Sequence, residues 1–110
     1  MNMQWIMTGL VFTLWCGACA AQAQDPNAAR ALAATCFTCH GTNGVSVGGV
    51  PPSIAGRAKA ELLQQLRDFR DGKRPATIMH QQAKGYTDAQ FELIADYFAN
   101  VKPAPARAGY

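Results

Sequence analysis

Cys36, Cys39 and His40 fall within five consecutive residues, Cys36-Phe37-Thr38-Cys39-His40, and those three side chains in that order are the set that fastens a porphyrin to a polypeptide. If the stretch closes a helix, a spacing of three sets both thiols on one face, one turn apart, within reach of the two vinyl groups of a single haem. The imidazole of His40, next in line, can turn under the ring and bind the iron as proximal ligand. Other chemistries use a paired thiol. A redox-active dithiol wants a βαβ setting, and no strand pattern surrounds Cys36. A structural zinc wants four ligands, and downstream the chain offers one further histidine and no further cysteine. One haem c, covalent through Cys36 and Cys39, is the cofactor the motif implies.

Iron held by His40 has a sixth position. Two side chains after the motif are the usual partners, Met79 and His80. Adjacent side chains in an extended segment point opposite ways, so only one can bind. Met79, a soft thioether in a loop, is favoured because Met/His ligation raises the reduction potential and suits electron transfer; His80 then points outward. Between the two ligand stretches, Pro52-Ser53-Ile54-Ala55-Gly56 adds a third feature. Proline has a carbonyl and no N–H, so the Pro52 carbonyl can accept from the free ring nitrogen of His40, fix its tautomer and strengthen it as a donor. Ile54 then leans on the porphyrin.

These residues need elements to hold them. Asp25-Pro26 is a helix opening, Asp as N-cap and Pro at the first position. Ala28, Ala29, Leu32, Ala33 and Cys36 continue it as an apolar face that runs into the haem motif. Ala29 and Ala33 are small enough for the last helix to cross there. Residues 41–56 form a glycine- and proline-rich wrap. A second helix over 58–71, with Leu62, Leu63, Leu66 and Phe69 on one side, walls the haem and stops at Gly72. Thr87-Asp88-Ala89-Gln90 is a capping box that opens the last helix, whose face is Phe91, Ile94, Phe98 and Val101, widened by Leu93 and Tyr97.

The front of the chain reads as a leader. An apolar run from Trp5 to Ala21 ends in Ala21-Gln22-Ala23, which suits signal peptidase, although no Lys or Arg precedes it. Cleavage after Ala23 gives a signal peptide at 1–23 and one small domain at 24–110 with a short flexible tail, exported to the periplasm. An uncleaved anchor, or a lipoprotein box at Ala18-Cys19, are the competing readings. Two tryptophans and three of four methionines lie in the leader, so Met79 is the domain's one methionine. The formal charge of +3 is largely offset by two propionates. No basic stripe with interleaved aromatics argues for nucleic acid.

Taken together, the chain resembles a class I cytochrome c over nearly the whole domain: a helix ending in C-x-x-C-H, a Pro-Ser-Ile-Ala-Gly loop like the family's Pro-x-Leu-x-Gly, a methionine loop and a C-terminal helix. The resemblance implies a small all-α fold, three main helices around one haem, with His40 proximal, Pro52 orienting it and Met79 distal. Cys36 to Gly44, Ser46 to Gly49 and Thr77 to Tyr86 also look like the cytochrome subunits of flavocytochrome c sulfide dehydrogenases, which accept electrons from a sulfide-oxidising flavoprotein.

The expected function is one-electron transfer by an exported mono-haem protein that turns over no substrate itself, with that flavoprotein as partner. A free-standing carrier is the alternative. A small peroxidase using His80 and a thiol oxidoreductase are the readings from other classes. Arg57, Lys59, Lys73, Arg74 and Lys84 are candidates to ring the haem edge and steer a partner.

Overall fold

The computed structural model describes residues 25–103; the expected leader and tail lie outside them. Among the described residues four α-helices follow one another: α1 (Pro26–His40), α2 (Lys59–Arg70), α3 (Met79–Lys84) and α4 (Asp88–Asn100), with one 3-10 turn at Thr42–Gly44 after α1. No strand occurs among the described residues. Nor is any helix among them long and apolar enough to cross a membrane.

Helix boundaries follow local chemistry. The Asp25 side chain accepts from the Asn27 N–H, and Pro26 stands where a missing N–H costs nothing. The Thr87 hydroxyl accepts from the Gln90 N–H while the Gln90 amide accepts from the Thr87 N–H, closing both ends of the capping box. Gly72, at a φ of +71°, follows the end of α2. The methionine stretch differs from the expected loop. It winds into a fourth, six-residue helix opened by Met79 itself.

The core forms where α1 crosses α4. Ala33 and Ala95 are fully buried against Phe98, Ile94 and Leu62, and their short side chains let the two backbones close. Phe37 meets Phe98 edge-on, ring centroids 6.2 Å apart, and Tyr97 packs on both. Gly44 lies in the same contact at a φ of +78°. A Cβ there would come within 2.8 Å of Ile54 and of the Phe98 ring.

A second seam joins α2 to α4 by charge. Lys59 reaches Glu92 and Asp96 at 3.4 and 3.3 Å, Arg67 reaches Glu92 at 3.6 Å, and Arg70 reaches Asp88 at 2.7 Å. All lie at the surface, where solvent screens the attraction and each pair contributes little. Their effect is to fix α2 against α4, and with it one wall of the cavity described below.

Candidate functional site

The last turn of α1 carries Cys36 half-buried, Cys39 exposed and His40 half-buried. Gly41 ends the helix at a φ of +84°, its N–H donating to the Phe37 carbonyl at 3.0 Å. A Cβ on Gly41 would stand 2.0 Å from the Val45 carbonyl oxygen, so glycine alone lets the chain turn away directly behind His40.

The following loop is pinned at its far end. Ile54 and Ala55 N–H groups donate to the Gly44 carbonyl at 2.8 and 3.1 Å, Gly56 N–H donates to the Phe98 carbonyl at 2.8 Å, and Ser46 N–H donates to Ser53 Oγ at 2.9 Å. This brings the Pro52 carbonyl oxygen to 2.7 Å from His40 Nδ1. A carbonyl only accepts, so Nδ1 carries the proton and Nε2 is left with its lone pair for a metal.

Cys36, Cys39, His40, Pro52, Ile54 and Met79 all line one cavity of about 630 Å³, within the range of cofactor pockets. Its walls are apolar: Leu62, Leu66 and Phe69 from α2, Ala83 from α3, and Ile94, Ala95 and Phe98 from α4. Leu63, expected on the same wall, packs instead into the core. Two guanidiniums, Arg57 and Arg74, complete the lining, and no carboxylate belongs to it. Two thiols, an imidazole with a free Nε2, a thioether, an apolar interior and two cations fit a flat apolar dianion with a central iron, which is a haem.

His80 is turned elsewhere. Its Nε2 donates to the Arg74 carbonyl at 2.7 Å and its ring lies edge-on to Phe69. It is half-buried there, not pointing out to solvent, and it does not line the cavity. Met79 and His80 are separated by a helical step of about 100° in place of the alternation of an extended strand.

The setting of Cys36 does not favour dithiol chemistry. Burial, the largest cause, pushes the Cys36 thiol above its ordinary value. A redox dithiol needs the opposite shift. No group of three or more His, Cys, Asp or Glu among the described residues is disposed to hold a metal ion, as a zinc site requires.

Of the five cations expected to ring the site, Lys59 is engaged by α4 carboxylates, Arg57 pairs with Glu61, and Lys73 lies 3.9 Å from Asp71. Only Arg57 and Arg74 line the cavity. Thr35, Gln65 and Gln82 also line the cavity, and no role there was expected of them from the sequence. Thr35 could have been found from the thiol face of its helix; the others come from packing.

Residues 23–98 match the family model described as cytochrome c oxidase, cbb3-type, subunit III. The cytochrome subunit of sulfide dehydrogenase from Chlorobaculum tepidum is 44% identical over 70 residues, covering 64% of this chain and 63% of that one. The thiosulfate dehydrogenase electron acceptor of Thiomonas intermedia is 38% identical, covering 70% of this chain and 36% of its own length. Cytochrome c-554(548) of Halomonas halodenitrificans is 31% identical, covering 71% of this chain and 98% of its own. The chain thus spans less than two thirds of the first two relatives.

Proposed function

Because the chain belongs to the cytochrome c oxidase cbb3-type subunit III family and is a class I c-type cytochrome with covalent haem c, we propose that it is a single-haem, one-electron carrier with iron held by His40 and Met79, accepting electrons from a sulfide-oxidising flavoprotein. One observation carries the reading. Six side chains and carbonyls chosen on chemical grounds converge on one apolar cavity, with Pro52 hydrogen-bonded to His40 behind it.

Haem c bound there supplies a one-electron couple at its iron. The chain's residues do the rest. Cys36 and Cys39 hold the group, and His40, its Nδ1 proton engaged by Pro52, offers Nε2 to the metal as a strengthened donor. Met79 offers a thioether, which raises the potential. Ile54, Leu62, Leu66 and Phe98 would exclude water from the bound group, and Arg57 and Arg74, the two cations of the lining, would offset the charge of its propionates. In this reading the chain accepts and passes on electrons, as an acceptor subunit does. The flavoprotein is drawn from the likeness to the sulfide dehydrogenase subunit. Export, with cleavage after Ala23, belongs to the same reading.

The test uses natively purified protein. Colour should survive acid denaturation and solvent extraction, intact mass should give a chain starting at Gln24 plus one haem, and sulfide should reduce the iron in samples that contain flavin. Extractable colour overturns covalent attachment. Flavin-free protein that stays oxidised with sulfide, and stays so when a sulfide-oxidising flavoprotein is added, overturns the partner and leaves a free-standing carrier.

A further inference from the structure

We propose that Tyr86 is a positioning residue for the sixth iron ligand, a phenol that ties the Met79 helix to the haem-attachment helix through Thr35. The proposal rests on the reading of Met79 as an iron ligand.

The bond is directional. Thr35 has one hydroxyl proton, and the Leu32 carbonyl 2.8 Å from its Oγ1 can only accept it. The Thr35 oxygen is therefore the acceptor for the Tyr86 hydroxyl, 2.5 Å away. The same Oγ1 lies 3.8 Å from Cys36 Sγ, so the bond ends beside the first attachment thiol. At its other end Tyr86 stands between α3 and the Thr87 cap of α4. Its N–H donates to the Ala83 carbonyl at 3.3 Å, and its ring packs against the fully buried Phe91. Thr35, Cys36, Ala83 and Tyr86 all line the cavity.

The bond has no substitute. α3 is six residues long with no side-chain cap at its N-terminus, too short to hold itself together. It packs on α2. Among the described residues, Thr35–Tyr86 is the one hydrogen bond linking α1 to residues 75–87. Two ligands on two helices meet one iron only if the helices keep a fixed offset, and this bond spans that offset while also meeting the need of a half-buried phenol for a partner.

The test compares Tyr86→Phe, Thr35→Val, the double variant and Thr35→Ser as holoproteins. The readouts are the ferric thioether-to-iron charge-transfer band, the pH at which alkali displaces the thioether, and the reduction potential. One neutral hydrogen bond predicts about two- to tenfold weaker thioether ligation, seen as loss of the band at lower pH and a lowered potential, with helix content and covalent haem intact. Tyr86→Phe and Thr35→Val should shift alike, the double variant no further than either, and Thr35→Ser should restore wild-type values.

Additive single effects, or a change in thermal midpoint with band and potential unmoved, would overturn the tether and leave an ordinary structural contact. A wild-type protein without the thioether band overturns the ligand reading, and the tether with it. The two failures are distinct because the first is seen in variants of a protein that shows the band.

Discussion

On the His40 side of the cavity, a ligand and both thiols are contained in one turn of α1, and the carbonyl behind the ligand is held by a loop sewn to Gly44 and Phe98 through three backbone bonds. On the Met79 side, the ligand opens a six-residue helix with no side-chain cap, propped against α2 and joined to α1 by a single phenol. One side is written locally and fastened covalently; the other is assembled by packing. The difference predicts that damage to the first removes the cofactor, and damage to the second changes only how its iron is ligated.

The sharpest break is Cys36→Ser with Cys39→Ser. Without covalent attachment a cavity of about 630 Å³ opens onto a domain whose fully buried side chains are few. Small domains with thin cores depend on such a staple. Loss of both helical circular dichroism and visible absorbance is expected; a folded colourless protein would mean that the apolar walls suffice alone.

Met79→Ala tests the opposite side. Covalent haem and overall helix content should persist, the potential should fall, and added imidazole should bind iron that it does not reach in the wild type. Met79 is only half-buried, so truncating it should cost less stability than truncating a core methionine, read by denaturant midpoint. An unchanged spectrum would transfer the sixth position to another group, and His80, bonded to the Arg74 carbonyl, would first have to break that bond.

Gly44→Ala perturbs the local side without touching a ligand. Its Cβ would meet Ile54 and Phe98 at 2.8 Å, and the backbone sits at a φ of +78°. Overpacking of this kind costs about 1–3 kcal/mol, with left-handed strain added. Gly44 also supplies the carbonyl that anchors Ile54 and Ala55, so the His40–Pro52 contact should loosen and the potential shift along with stability. A loss of stability at constant potential would separate the loop's packing role from its electronic one.

The same contrast governs how much was legible in the sequence. Asp25-Pro26, the Thr87–Gln90 box and C-x-x-C-H each act over a few residues, so their letters are sufficient. Pro52 was legible because proline's missing N–H narrows what it can do beside a histidine. Helix α3 was not: Pro75 and Thr77-Ile78 read as a loop, and what winds residues 79–84 is support from α2. Thr35 and Tyr86 are 51 positions apart, and no local pattern joins them. The α2–α4 seam had a signal that went unread, since Asp88, Glu92 and Asp96 recur every fourth residue of α4, opposite Lys59, Arg67 and Arg70 of α2.

That seam gives the smallest effect, and its sign can be worked out. The Arg70 guanidinium, by hydrogen bond and charge, holds the Asp88 carboxyl below its ordinary range, with Arg67 assisting. A depressed carboxylate contributes stability that is fully present above its unfolded pKa and is lost as pH falls through the folded one. Lys59 is raised, chiefly by Asp96, so its contribution is fully present below the ordinary lysine range and is lost as pH rises through the raised value. Asp88→Asn should therefore lower the thermal midpoint slightly at neutral pH and not at all in acid below the carboxylate range. Salt should shrink the neutral difference, because the pairs are exposed. Ligand-side readouts should be unmoved, since the seam fixes the wall and not the iron. A shifted thioether band in Asp88→Asn would mean that α2 transmits the charge seam to the Met79 helix packed on it, and the two sides of the cavity would then be less independent than their construction implies.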